Sequence, residues 1–366
     1  MKFSILREDL LTPLQQVIGA VEKRQTMLSL SNVLVKSDDN YLSMTATDLE
    51  IELVSRVQLM VDKPGEITIP AKKFLDICKS LPAEAKVNIS IDADKATIQS
   101  GRSRFTLSTL PAADFPSLES ITSFYEFSMP QNVLRRLIEK TAFAMAQQDV
   151  RYYLNGLMVE VSRGMIRTVA TDGHRLAYSE QAIDSELADS KQVIIPRKGV
   201  MELLRLLSDS EEPVKIILGN NHIQCLLGNQ RFTSKLIDGR FPDYKRVIPA
   251  EEGHTVTADR ESLKQALSRA SILSNEKYRG IRIVLNNNLL KLQAQNPDQE
   301  QADVEVEVSY EGDILEVGFN VTYMMDVLNT SGSEVVQFII KDANSSCLLK
   351  FPEDTQCKYV IMPMRL

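Results

Sequence analysis

One local triplet occurs three times at equal spacing, and this constrains the fold more than any other feature of the chain. Ala46-Thr47-Asp48, Ala170-Thr171-Asp172 and the degenerate Ala294-Gln295-Asn296 stand 124 residues apart at both steps. A fixed long period marks repeated structural units. Four blocks surround each triplet in the same order. The first is a short strand and an amphipathic helix, at residues 3–5 and 9–17, 127–129 and 133–145, and 255–257 and 262–273. In the last of these helices Leu263, Ala266, Leu267, Ala270 and Leu273 form an apolar stripe. The second block is a hairpin, with turn formers at 38–40, 163–164 and 286–288 between β-rich runs. The third is a strand leading into a helix, at 67–75, 193–201 and 317–325, with Pro70 and Pro196 near two helix starts. The fourth returns to strands, from 87 to 107, 214 to 233 and 335 to 361.

The period divides the chain into three units, residues 1–125, 126–253 and 254–366. Each reads as α+β, with antiparallel strands and two helices on one side. A length of 366 residues suits two or three domains, and the linkers between the units are short.

Several classes of chemistry have no support. There is no phosphate-binding glycine loop and no dinucleotide fingerprint. His174, His222 and His254 lie too far apart for a local metal motif. Cys78, Cys225, Cys347 and Cys357 are scattered and read as reduced thiols. Neither a metal nor a cofactor is expected. No apolar run is long enough for a membrane helix, and the charged start does not read as a signal peptide, so a cytoplasmic protein is expected. Asp172 and His174 could do acid–base work. A turn after a strand is the better reading, because the first unit has Asp48-Leu49-Glu50 there, without a histidine.

The net charge is −7, yet several predicted helices are locally basic. Lys72, Lys73 and Lys79 share one, Arg135, Arg136 and Lys140 another, and Arg197, Lys198 and Arg205 a third. On any single helix this is an ordinary solvated face. On equivalent helices of repeated units it predicts one diffuse cationic surface, which binds phosphates without reading bases. Residues 303–308 alternate acidic and apolar side chains, and residues 102–107 alternate basic or polar and apolar ones. As edge strands the two would set Asp303 and Glu305 against Arg102 and Arg104. Between two chains this gives two identical joints and a closed six-unit ring.

The residues resemble the bacterial DNA polymerase III beta subunit family over the whole length. The resemblance is carried by Gln148-Asp149-Val150-Arg151-Tyr152-Tyr153-Leu154-Asn155-Gly156, by Ala170 to Leu176, by Asp238-Gly239-Arg240-Phe241-Pro242-Asp243-Tyr244 and by Leu273-Ser274-Asn275-Glu276-Lys277. It implies three clamp domains, with antiparallel sheets outside and two helices per domain facing a central hole. It also implies a head-to-tail homodimer around double-stranded DNA, loaded by a separate clamp loader. The polymerase alpha subunit, other polymerases and repair proteins would bind through short peptides, and the chain itself would not be an enzyme.

Site residues follow from the same resemblance. A peptide pocket is expected from Leu154, Thr171, Gly173, His174, Arg175, Leu176, Pro242, Arg246, Val247, Asn320, Tyr323, Ser346, Val360, Met362, Pro363, Met364 and Arg365, with Arg175, Arg246 and Arg365 at its rim. DNA contacts are expected from Arg24, Gln148, Tyr152 and Tyr153, joined by the helix cations Lys72, Lys73, Arg136, Arg197 and Lys198. The dimer joint is expected from Lys73, Arg102, Arg104, Phe105, Leu107, Ile272, Leu273, Asp303 and Glu305. Two departures stand out. Asn344 takes a pocket position usually apolar in relatives, and residues 24–29 lack the prolines common in that loop. The apolar run 360–366 reads as flexible and adaptable, with methionines suited to several partners. Two other classes stay open on the residues alone: an enzyme using Asp172 and His174, and a repeat scaffold with no DNA role.

Overall fold

The computed structural model describes residues 1–365 apart from 23–26, 39, 117, 119–121 and 185–188. Among these residues each repeat supplies eight strands and two α-helices in one order. The first runs β1 (Lys2–Leu6), α1 (Arg7–Val17), β2 (Asn32–Ser37), β3 (Tyr41–Thr47), β4 (Ile51–Gln58), β5 (Gly65–Pro70), α2 (Ala71–Ser80), β6 (Lys86–Asp92), β7 (Lys95–Ser100) and β8 (Ser103–Ser108). The second runs β9 (Ser123–Pro130), α3 (Gln131–Glu139), β10 (Gly156–Ser162), β11 (Met165–Thr171), β12 (Arg175–Ala182), β13 (Lys191–Pro196), α4 (Arg197–Leu206), β14 (Pro213–Gly219), β15 (His222–Leu227) and β16 (Gln230–Lys235). The third runs β17 (His254–Asp259), α5 (Arg260–Ser271), β18 (Gly280–Asn286), β19 (Leu289–Gln295), β20 (Gln301–Glu307), β21 (Leu315–Asn320), α6 (Val321–Leu328), β22 (Val335–Ile340), β23 (Cys347–Phe351) and β24 (Asp354–Ile361).

The helix signals work as elementary chemistry requires. Leu263, Ala266, Leu267 and Ala270 are the buried stripe of α5, and the Asp259 carboxylate accepts from the Ser262 amide at its start. Pro70 and Pro196 stand immediately before α2 and α4. The third repeat has Asn320 in that place, and its side-chain oxygen accepts from the Thr322 and Tyr323 amides. One helix is shorter than the sequence predicts. α3 ends at Glu139, not Met145, and a 3-10 turn covers Ala142–Ala144. The cause is Thr141. Its hydroxyl bonds back to the Leu137 carbonyl and to Thr168 Oγ1, and its φ of −130° leaves the helical region.

The sheets cross the repeat boundaries. β4 pairs antiparallel with β16, giving an eight-stranded sheet in the order β5-β2-β3-β4-β16-β15-β14-β9. β12 pairs antiparallel with β24, giving β13-β10-β11-β12-β24-β23-β22-β17. The remaining strands form two four-stranded sheets, β1-β6-β7-β8 and β20-β19-β18-β21. The compact units therefore do not follow the repeats. One comprises Met1–Asn132 with Met201–Leu236, and the other Val133–Val200 with Ile237–Leu366. All four cysteines are buried and free, and burial pushes the Cys78 and Cys225 thiols up to about 12.

Candidate functional site

The turn between β11 and β12 is built by its own polar side chains. Thr171 Oγ1 donates to the Arg175 carbonyl and accepts from the Gly173 amide. Asp172 Oδ1 accepts from the amides of His174 and Arg175. The first repeat makes the same turn. Thr47 Oγ1 bonds the Ile51 carbonyl and the Leu49 amide, while Asp48 Oδ1 accepts from the Glu50 and Ile51 amides. Asp172 is thus a turn former whose oxygens are already committed.

Around this turn lie most of the expected pocket residues. Leu154, Leu176 and Val360 belong to one buried cluster with Tyr178, Phe241 and Tyr244, and Tyr153 and Val247 pack against it half-buried. Leu176 stands opposite Val360 in the β12–β24 register. Pro242, Arg246 and Met362 are exposed, and Ser346, Pro363 and Met364 are half-buried. The run after β24 is held at two points, contrary to the flexibility expected of it. The Met362 amide donates to the His174 carbonyl and the Met364 amide to the Gly318 carbonyl. Asn320 is a helix cap first, since its side chain holds the start of α6. Asn344 lies exposed in a turn that Asp342 caps.

Arg175 departs from expectation. It is not at the rim: its side chain is 11% exposed. Its Nε donates to Asp172 Oδ2, its Nη1 to Asp326 Oδ2 and its Nη2 to the Phe143 carbonyl. Its guanidinium carbon lies 5.3 Å from the Phe143 ring centroid and 4.4 Å from that of Tyr323. Burial, and then the Asp172 carboxylate, raise the Tyr323 phenol above its ordinary pKa. Arg246, at 87% side-chain exposure, does sit outside, paired with Asp243.

The adjoining loop carries three of the residues expected to contact DNA, Gln148, Tyr152 and Tyr153. Asp149 is bracketed by Arg151, whose Nε and Nη2 reach its two oxygens at 3.0 and 2.8 Å. These hydrogen bonds hold the carboxyl at about 2. Arg151 Nη2 also donates to the Asp172 carbonyl, joining this loop to the turn. Gln148, in the left-handed region at φ 55°, is exposed. Tyr152 is exposed and Tyr153 half-buried in a 3-10 turn, Tyr152–Leu154, with ring centroids 5.9 Å apart. Lys72 and Lys73 are exposed on α2, while Arg197 and Lys198 are part-exposed on α4. Arg136 is engaged: Nη2 bonds Gln181 and Gln356, and Nη1 lies 3.8 Å from Asp354. Arg24 falls outside the described residues.

Some of the residues expected at a joint sit on two sheet edges. β8 ends one four-stranded sheet and β20 ends the other, and among the described residues neither has a second strand neighbour. Arg102 and Arg104 are exposed on the β8 side, with Phe105 and Leu107 half-buried on the alternate face. Asp303 and Glu305 are exposed on β20, next to α5. Lys73 is exposed on α2, Leu273 is half-buried, and Ile272, which caps α5, is 76% exposed.

Models of the N-terminal, central and C-terminal domains of the DNA polymerase III beta subunit match residues 1–119, 128–243 and 245–365. The chain belongs to the DNA polymerase III beta subunit family, the beta sliding clamps. It is 54% identical to the beta sliding clamp of Pseudomonas aeruginosa and 49% identical to that of Escherichia coli K12, with the whole of both chains covered in each case. A crystal structure of the P. aeruginosa subunit superposes with a TM-score of 0.98 at 54% identity, again over both full chains. Another, of the same clamp bound to griselimycin, gives 0.95. This clamp therefore acts in DNA replication as a processivity subunit of DNA polymerase III and is not a catalyst. That decides against both the enzyme and the scaffold with no DNA role. Among the described residues no group of His, Cys, Asp and Glu could hold a metal, and no helix is long and apolar enough to cross a membrane.

The sequence missed Arg151, Phe143 and Asp326 as parts of this site. Arg151 stood within a quoted motif. Asp326 carried no signal, because its partner lies 151 residues away.

Proposed function

We propose that two copies of this clamp join edge to edge, β8 of one against β20 of the other. They close around duplex DNA in the cytoplasm and present the groove beside the 171–176 turn to partner peptides. The single observation that carries the ring is the pair of open edges. Within the chain, the fourth strand of one repeat pairs with the last strand of the next, as β4 with β16 and β12 with β24. β20 is the fourth strand of the last repeat, and β8 is the last strand of the first. Their pairing completes the series.

The repeat also supports a register. Phe105 and Phe232 are equivalent, standing opposite Ile98 and Cys225 in matching hairpins. Gln301 is equivalent to Glu52, since they stand opposite Gln295 and Thr47, the middle residues of their repeat triplets. The observed pairing of Arg231 with Val54 then places Arg104 opposite Asp303, and Arg102 opposite Glu305. Phe105 meets Ala302 on the apolar face. Unlike charges facing each other across an antiparallel pair stabilise it, and like charges oppose it.

DNA contacts are proposed for the exposed Gln148 and Tyr152, with Arg24, Lys72, Lys73, Tyr153, Arg197 and Lys198, as diffuse phosphate contacts. Clamp loader and polymerase peptides would share the groove between the turn, residues 242–247 and the run 362–365. A few apolar anchors and polar groups suit a short extended segment. The test is a charge exchange. Arg104→Asp should dissociate the dimer in analytical ultracentrifugation, and combining it with Asp303→Arg in the same chain should restore it. A double variant that stays monomeric would overturn the register.

A further inference from the structure

Arg175 has two carboxylate partners, and they do different jobs. Asp172 lies three residues away on the same turn, so it orients the guanidinium locally. Asp326 lies on α6 and ties that helix to the turn across 151 residues of chain. A second tie runs through the main chain after β24, from the His174 carbonyl of the turn to the Gly318 carbonyl on β21, the strand that leads into α6, by way of the Met362 and Met364 amides. We propose that Asp326 is a positioning residue for peptide recognition: it holds the Arg175 guanidinium over the Tyr323 ring and so fixes the spacing between the 171–176 turn and α6. The inference rests on the groove reading above and adds the residue that sets the groove's width.

The geometry favours an internal strut over a ligand contact. All three guanidinium nitrogens donate within the protein. Aromatic rings lie at 5.3 and 4.4 Å from the guanidinium carbon. Three of its five N–H donors are thus engaged inside the protein, and its side chain is only 11% exposed. Asp326 is the more open partner, with a side chain 32% exposed against 16% for Asp172. Its loss leaves Arg175 still paired with Asp172 and bonded to the Phe143 carbonyl. The cation is not orphaned, so the fold survives while the turn loses its anchor on α6.

The experiment uses the full chain and a short synthetic peptide carrying one Gln and two or three apolar residues. Asp326→Asn keeps the shape of the side chain and removes its charge. It should weaken peptide binding about 10-fold, with unchanged dimerisation and melting. Asp326→Glu restores the charge and should recover most of that loss. With 13C-labelled tyrosine, the Tyr323 ring resonance should move in the Asn variant and return in the Glu variant. Deletion of residues 362–366 is the control for the groove. If deletion abolishes binding and Asp326→Asn binds as the native chain does, the groove stands and the positioning role falls. If binding weakens while the Tyr323 resonance stays fixed, the effect does not pass through Arg175 and the inference is overturned. If neither change alters affinity, the peptide binds elsewhere and both readings fail.

Discussion

Leu49 and Gly173 hold the same place in two copies of one turn, at φ of 78° and 89°. The threonine and aspartate before each make the same hydrogen bonds, so the backbone is set by the turn and not by the residue that must adopt it. Glycine adopts this region freely, whereas leucine does so at a cost of about 1–3 kcal/mol.

The two positions should therefore respond in opposite ways. Gly173→Ala adds that strain, and its Cβ would meet Arg151 Nη1 at 2.8 Å. Chemical denaturation should show a loss of about 1–3 kcal/mol. Leu49→Gly removes strain but adds about 0.5–1 kcal/mol of unfolded-chain entropy, and should leave stability unchanged or higher. Equal losses at both sites would mean that packing holds Leu49.

The Asp149 carboxyl, held at about 2 by Arg151, gives the loop an acid-dependent brace. A depressed folded value stabilises the folded chain above the ordinary carboxylate range. The contribution fades as pH falls from about 4 toward about 2. Carboxyl NMR between pH 6 and 3 should show Asp149 ionised throughout in the native chain. In Arg151→Met it should begin to titrate near the ordinary carboxylate pKa, and identical curves would contradict the assignment.

At the proposed joint, Ile272 and Leu273 should pack against Phe105 and Leu107 of the second copy. Truncating a well-buried Ile or Leu costs ~2–5 kcal/mol, and a closed ring has two such joints. Ile272→Ala with Leu273→Ala should yield monomers in sedimentation at moderate concentration. A double variant that remains dimeric would place the joint elsewhere.

Removing residues 362–366 should abolish binding of polymerase and clamp-loader peptides, because it removes the wall that Met362 and Met364 form and frees the His174 carbonyl. The dimer should persist, since β8, β20 and α5 are untouched. Peptide titration by fluorescence anisotropy, with sedimentation in parallel, separates the two effects.

The repeat was legible because its signals are local. The threonine–aspartate turn, the hairpins and the strand-to-helix steps each fit within a short window. β4 and β12 were harder to see as strands. Ile51 through Ser55 are all buried, so β4 lacks the alternation that marks a half-exposed strand. Pairings such as Val54 with Arg231, which tie one repeat to the next, connect distant segments that no local pattern relates. Edge strands β8 and β20 were legible through alternating charge. Arg175 was misplaced at the rim because a cation usually faces water, and the rings and carboxylates that enclose it come from Phe143, Tyr323 and Asp326 elsewhere in the chain.

In the proposed ring, a chain with a net charge of −7 would stay on DNA by enclosing it, not by gripping it. The direct measurement loads labelled clamp onto nicked circular DNA, removes free protein by gel filtration, and then cuts the circle with a restriction enzyme. The account predicts that the clamp co-elutes with the circle and is lost once the DNA is linear. Equal retention on circular and linear DNA would contradict it.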